Sequence, residues 1–214
     1  MKKLRAQVIR YAKKLNITNL STLRSGNVSV RAREKKINGF YITPSGAKYS
    51  SLKPKDIIFV SLNGRFDKKK GKPSSEWRFH QDIYVHKKEA KAIVHAHSTC
   101  ATAVSTHNKP VPAFHYMVGV ARGNNIKCAK YATFGTRNLS KNILTALKNR
   151  SACLISNHGQ IAFGKNLDNT FELAQEVENI CHQYINALRI GIPKILSKKE
   201  MKIVLGKMKN YKKG

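Results

Sequence analysis

Two histidines stand at the end of an apolar run, Ile93-Val94-His95-Ala96-His97. In an extended strand, residues i and i+2 share a face, so both imidazoles can reach one ion. Neutral imidazole nitrogen is a good zinc ligand, and a catalytic zinc needs about four ligands with one position left open to exchange. A third histidine must then come from elsewhere. His158, in Asn157-His158-Gly159, follows a second apolar stretch and precedes a glycine that frees the backbone. Glu76, at the start of a predicted helix, offers a carboxylate as the fourth, exchangeable ligand. Other uses of H-x-H fit less well. A cupin would carry a glutamate a few residues later, and Ser98 to Thr106 holds no acid. An amidohydrolase would carry the pair early in a longer barrel chain. The remaining histidines (His80, His86, His107, His115 and His182) read as structural or solvent-facing.

Small polar residues gather before several element ends, at Ser25-Gly26-Asn27, Thr43-Pro44-Ser45-Gly46 and Ser74-Ser75. A phosphate is held by backbone N–H groups, hydroxyls and helix N-termini. Ser74 and Ser75 directly precede Glu76, so an anion held there would lie beside the metal. Singly these are ordinary turns and caps. Together they describe a pocket with a cation at one end and an anion cradle at the other.

The elements that must position these groups follow from periodicity. Residues 3–15 predict an amphipathic helix with Leu4, Val8, Tyr11, Ala12 and Leu15 on one face. Strands are expected at Asn27 to Arg33, Phe40 to Thr43 and Asp56 to Leu62, the last closed by the turn signal Asn63-Gly64. Ser74 or Ser75 is expected to cap a helix reaching about Lys88. Lys91 to His97 reads as a strand leading into a helix near Ser98, and Ser140 as the cap of a helix to about Asn149. Cys153 to Ser156 and Gln160 to Phe163 form a strand pair around His158. Asp168 is expected to cap the longest helix, whose inner face is Phe171, Ala174, Val177, Cys181, Ile185 and Leu188; Gly191-Ile192-Pro193 stops it. Ser197 and Glu200 form a capping box for a final short helix. Interleaved strands and helices, with several strand pairs on short turns, predict an α/β protein with a mixed sheet covered by helices.

Bulk properties bound the function. The 214 residues, 41% hydrophobic, suffice for one domain with a full core, read as spanning 1–214. No apolar run reaches the eighteen or so residues of a membrane span. The basic start, Met1 to Arg5, lacks the apolar stretch of a secretory signal. Cys100, Cys128, Cys153 and Cys181 are widely spaced, which predicts free thiols in a reducing cytoplasm and no thiolate zinc site. Lys+Arg is 41 against Asp+Glu 11, a formal charge of +30. The cations are scattered, with clusters at Lys68-Lys69-Lys70 and Lys207 to Lys213, and no zinc finger or RNP-like motif accompanies them. A lysine-rich solvated surface is expected, not a nucleic-acid binder. Such a field favours capture of phosphorylated metabolites.

Six segments then occur in order: Ser25 to Arg31 (SGNVSVR), Ile42 to Gly46 (ITPSG), Pro73 to His80 (PSSEWRFH), Val94 to His97 (VHAH), Tyr131 to Arg137 (YATFGTR) and Asn157-His158-Gly159. As an ordered set over roughly residues 5–190 they closely resemble the class II aldolase/adducin family. The resemblance implies a three-layer α/β/α sandwich around a mainly antiparallel sheet, assembled as a four-fold homotetramer with active sites at subunit interfaces; the capping box and the lysine cluster add a C-terminal helix and lysine-rich tail over 197–214. It implies that His95, His97 and His158 bind zinc, and that Glu76 ligates the resting metal and then acts as acid/base. Asn27, Thr43, Gly46, Ser74 and Ser75 would hold a substrate phosphate. Tyr116 would reach the active site of a neighbouring subunit. The implied reaction is retro-aldol cleavage of a ketose 1-phosphate, such as L-fuculose 1-phosphate, to dihydroxyacetone phosphate and a small aldehyde such as L-lactaldehyde. Relatives of the same fold epimerise ribulose 5-phosphate or dehydrate methylthioribulose 1-phosphate; the Tyr131 to Thr136 segment and Tyr116 favour the aldolase. A non-catalytic, adducin-like role is opposed by the retained histidines and Glu76. Phe134, Met208 and Tyr211 are the expected aldehyde-side residues. Met208 departs from the family, which carries an aromatic there.

Overall fold

The computed structural model describes residues 1–211, with side chains through Lys209; Lys212 and Lys213 of the lysine-rich tail, and the side chain of Tyr211, lie outside the described residues. In chain order the elements are α1 (Lys2–Ile17), β1 (Asn27–Glu34), β2 (Ile37–Ile42), β3 (Ile58–Ser61), α2 (Trp77–His86), β4 (Ala92–Ala96), α3 (Thr99–Ser105), β5 (Cys128–Ala129), α4 (Arg137–Ala146), β6 (Ala152–Ile155), β7 (Gly159–Gly164), α5 (Leu167–Ile190) and α6 (Lys198–Tyr211). The strands form one sheet in the order β3-β2-β1-β4-β7-β6-β5. Every pairing is antiparallel except β5 with β6. This is the mixed, mainly antiparallel sheet that the sequence predicts.

Side-chain alternation splits the interior in two. In β4, Ala92, Val94 and Ala96 face a core built with Val8, Leu15, Ala101, Phe171 and Val177, which come from α1, α3 and α5. Ile93 faces the other way, into a core with Phe79, Ile83, Leu139 and Ile143 from α2 and α4. Because successive strand residues point to opposite faces, helices must cover both sides, and a three-layer sandwich results.

Several helix starts differ from expectation. Thr136, not Ser140, caps α4 by accepting from Leu139 N at 3.3 Å. Ser140 is buried one turn in and donates to Asp82 Oδ2 at 2.5 Å. Asn166, not Asp168, caps α5 by accepting from Asn169 N at 2.8 Å. Asp168 instead meets the Tyr11 hydroxyl and Arg10, tying α5 to α1. Neither serine caps α2: Glu76 holds the N-cap position without a side-chain cap bond, because its carboxylate faces the histidines. At α3 the cap comes from another helix, with Glu178 accepting from Cys100 N and Ala101 N at 2.7 and 2.8 Å. Ser197 accepts from Glu200 N at 3.1 Å, which is half of the expected box. Leu188 is 48% exposed, so the inner face of α5 ends before it. The two-residue strand β5 and the 3-10 helix Tyr116–Ala121 have no periodic signal and escape sequence reading.

Among the described residues no helix is long and apolar enough to cross a membrane. The four cysteines are free. Lys and Arg enter only three ion pairs among the described residues, so most of the positive charge faces solvent.

Candidate metal centre and anion cradle

The sheet brings the site together at one end. Asn27, the first residue of β1, pairs with His95 near the end of β4; His95 pairs with Ile161 of β7, and Ala96 with Gln160. His158 lies in the turn between β6 and β7. Asn157 there adopts the left-handed conformation (φ 53°) and His158 N donates to Ile155 O at 3.0 Å. Gly159 (φ 155°) lies where an added Cβ would come 2.4 Å from Ala96 O. Only glycine lets this turn press against β4, and that contact carries His158 to the H-x-H pair.

The three imidazoles converge. His97 Nε2 lies 2.9 Å from His95 Nε2 and 3.0 Å from His158 Nε2. Glu76 Oε2 is 3.1 Å from His95 Nε2, and Glu76 Oε1 is 3.1 Å from His158 Nε2. All four ligand atoms lie within 4.8 Å of one another. Ligands about 2.0–2.1 Å from a tetrahedral zinc stand roughly 3.3 Å apart, so this donor set fits one such ion. Tautomers agree. His95 Nδ1 lies 2.7 Å from the Gln160 carbonyl, which can only accept; the proton is therefore on Nδ1 and the Nε2 lone pair faces the centre. Glu76 Oε1 is buried and has no hydrogen-bond partner, as expected of an oxygen kept for a cation.

Electrostatics follow from this crowding. Burial opposes ionisation of Glu76, but the neighbouring His95 and His158 outweigh it and hold the carboxyl well below the usual carboxylate range. Burial, reinforced by His95 and His158, brings His97 down to about 3, with Glu76 opposing. Near neutral pH, His97 is thus an unprotonated imidazole able to bind a cation.

A residue that sequence reading left as structural supports the centre. His80 is fully buried on α2. Its Nδ1 is 2.7 Å from Ser29 Oγ, which is 2.8 Å from the Tyr84 hydroxyl, and its Nε2 meets Asn27 Oδ1. Asn27 Nδ2 donates to Glu76 Oε2 at 2.9 Å. The Asn27 amide oxygen can only accept, so His80 Nε2 carries the proton and Nδ1 accepts from Ser29. Burial first, then the proximity of His95, brings His80 down to about 3 against the pull of Glu76, and this keeps His80 in its neutral tautomer. A one-way relay therefore runs from Tyr84 through Ser29, His80 and Asn27 to the Glu76 carboxylate. Finding it requires the β1 register and the packing of α2, neither of which is local in sequence.

Beside the centre lies a cavity of about 440 Å³. Glu76, His97 and His158 line one end, and Asn27, Gly46, Ser74 and Ser75 line the rest together with Arg24, Ser25 and Tyr49. Segments 43–45 and 72–74 pair through Ser74 N to Thr43 O (3.0 Å) and Ser45 N to Lys72 O (3.1 Å), which sets the serines beside the Pro44-Ser45-Gly46 turn. Thr43 is not on the wall. It is buried behind it, with its hydroxyl accepting from Val28 N at 3.3 Å, because the turn that follows carries the chain outward. Tyr131 and Phe134 stand exposed at the mouth, held by Gly135 against the Ser75 carbonyl.

Other expected site residues lie elsewhere in this chain. Tyr116 begins the 3-10 helix and is 49% exposed, away from the cavity wall. Met208 of α6 packs its sulfur over Gly119 of that same 3-10 helix, so it too is absent from the wall. Tyr116 and Met208 thus belong to one surface unit.

Comparison with known proteins agrees with this arrangement. The chain is 44% identical to L-fuculose phosphate aldolase of Escherichia coli (strain K12), over 98% of its own length and 95% of that protein. It is 43% identical to a 5-methylthioribulose-1-phosphate/5-deoxyribulose-1-phosphate aldolase of Rhodospirillum rubrum, over 97% of its length and 92% of that protein. Among solved structures, an L-fuculose 1-phosphate aldolase superposes with a TM-score of 0.91 at 38% identity, covering 97% of this chain and 96% of the other. Residues 6–185 match the Class II Aldolase and Adducin N-terminal domain family, and to that family this chain belongs.

Proposed function

We propose that the protein is a zinc-dependent aldolase that cleaves a ketose 1-phosphate to dihydroxyacetone phosphate and a small aldehyde. The observation that carries this is the convergence of three imidazole nitrogens and a buried carboxylate at one end of a hydroxyl-lined cavity. The two aldolase activities named for the relatives act on sugars that are alike at the phosphate end and differ at the aldehyde end. L-Fuculose 1-phosphate and a 5-substituted ribulose 1-phosphate are therefore the two substrate candidates.

His95, His97 and His158 would hold the metal. A divalent ion there supplies Lewis acidity toward the substrate's oxygen atoms. Ser74, Ser75, Gly46 and Asn27 bind the phosphate, with Thr43 supporting their turn from behind. Glu76 takes and returns the proton at the carbon that loses the aldehyde, and its charge state suits a base. Asn27, oriented by His80, keeps Glu76 aimed. Tyr116 of a neighbouring subunit donates to the aldehyde oxygen in condensation and takes that proton back in cleavage. Its exposure outside its own cavity, and the exposed Leu188, Ile190 and Ile192 at and beyond the end of α5, support a homotetramer. Phe134 borders the aldehyde end of its own cavity, and Met208, packed over the 3-10 helix that carries Tyr116, reaches that end from the neighbouring subunit together with it. Four free thiols suit a reducing cytoplasm.

The test is a coupled assay in which glycerol-3-phosphate dehydrogenase reports dihydroxyacetone phosphate by NADH oxidation, with each candidate sugar phosphate as substrate. Release of dihydroxyacetone phosphate is expected. A product that keeps all the substrate's carbon atoms would replace cleavage by epimerisation or dehydration.

A further inference from the structure

The residues proposed to hold the phosphate are all uncharged: Asn27, Gly46, Ser74 and Ser75. A sugar phosphate carries nearly two negative charges at neutral pH. It must enter a cavity that already holds the ionised Glu76 carboxylate at its far end. The metal lies at that far end beside Glu76, and at the cradle hydroxyls, amides and the N-terminus of α2 offer only partial positive charges, so the phosphate end itself lacks a full counter-charge.

One cation answers it. Among the described residues that line the cavity, Arg24 is the only Lys or Arg, although the chain has 41 of them. Arg24 has no carboxylate within ion-pair distance and no side-chain hydrogen bond among the described residues, so its guanidinium is uncommitted. Its position is built. Ser25 N and Ser25 Oγ both donate to Thr22 O, at 3.1 and 2.7 Å, closing a tight turn with Arg24 at its third position. Leu23 is forced into the left-handed region (φ 52°), which is unfavourable for leucine, and is 83% exposed. Gly26 anchors the far side of the turn: a Cβ there would lie 2.6 Å from Ser21 Oγ and 2.8 Å from His95 O. The turn is thus pressed onto β4 beside the metal centre, with Arg24 on the cavity side.

We infer that Arg24 is a phosphate-binding residue, supplying the counter-charge that the neutral cradle lacks. This builds on the sugar-phosphate reading of the site. The guanidinium fork matches two phosphate oxygens at once, which an ammonium cannot do. Lysine at this position would therefore be only a partial substitute.

The experiment is calorimetric titration of the zinc-loaded wild type, Arg24→Gln and Arg24→Lys with inorganic phosphate, and then with dihydroxyacetone phosphate. Arg24→Gln is expected to weaken both ligands about 10- to 100-fold, with Arg24→Lys between it and wild type. In turnover, KM for the sugar phosphate should rise by more than kcat falls. The unfolding midpoint should stay unchanged, since Arg24 is exposed. If wild type fails to bind inorganic phosphate, or binds it no better than Arg24→Gln, the inference is overturned. If phosphate binds and needs Arg24, but no dihydroxyacetone phosphate is released in the coupled assay, the inference stands and the aldolase reading falls.

Discussion

Replacing His80 with leucine cuts the relay between the protein interior and the Glu76 carboxylate while roughly preserving side-chain volume. The buried Asn27 Oδ1 then loses its donor. An orphaned buried acceptor costs about 1–3 kcal/mol, so the variant should be about 2 kcal/mol less stable at pH 7.5. The pH dependence is more diagnostic. In the native state His80 is held neutral down to about 3. In the unfolded chain it titrates near 6.5, so below that value the unfolded state binds a proton that the native state refuses. The neutral-His80 contribution is complete above about 6.5 and erodes as the pH falls toward 3. At pH 5 the wild type has lost about 2 kcal/mol through this one residue. His80→Leu has no such group, so its disadvantage at pH 7.5 should nearly vanish at pH 5. The assay is urea unfolding of both proteins, metal-free and at equal concentration, at the two pH values. The metal ligands titrate in both proteins and cancel in the comparison. A stability difference that stays the same within about 0.5 kcal/mol at pH 7.5 and pH 5 would refute the relay and its tautomer.

Glu76→Gln should leave the fold and phosphate binding intact while lowering kcat at least about 100-fold, as expected when an acid/base group is lost; steady-state kinetics beside phosphate titration checks this, and near-normal turnover would move the acid/base role elsewhere. Gly159→Ala places a Cβ 2.4 Å from Ala96 O, at a backbone angle alanine rarely adopts. It should cost about 2–3 kcal/mol and weaken zinc binding by displacing His158, and unfolding that matches wild type would show the turn to be less constrained than described. Tyr116→Phe should lower kcat about 10-fold or more with zinc content unchanged; a silent substitution would remove the cross-subunit role.

Much of the centre was legible because it is written locally. Alternation in β4 puts His95 and His97 on one face at a strand end, and Asn157-His158-Gly159 carries both a turn signal and an imidazole that the fold brings to that pair. The layered fold was legible for a similar reason, since strand and helix periods alternate along the chain. What escaped depends on contacts distant in sequence. Whether Asn27 faces His95 is a matter of strand register, and His80 acquires its role only when α2 packs over β1. Glu178 caps α3 from a helix more than seventy residues away, so no reading of Ser98 could reveal it. Thr43 looks like its serine neighbours in sequence, yet it lies behind the wall because its hydroxyl is needed by the backbone of β1. Arg24 was hidden by abundance: in a chain so rich in cations, only the cavity distinguishes it from the rest.

The meeting of His95, His97, His158 and Glu76 on one ion is tested most directly by titrating chelator-stripped protein with Zn²⁺ in a calorimeter, wild type beside His95→Ala. One ion per chain is expected for wild type, with no binding detectable for the variant at the same concentrations. A folded wild type that takes up no zinc, or a His95→Ala protein that binds it as tightly, would contradict the assignment of the metal centre.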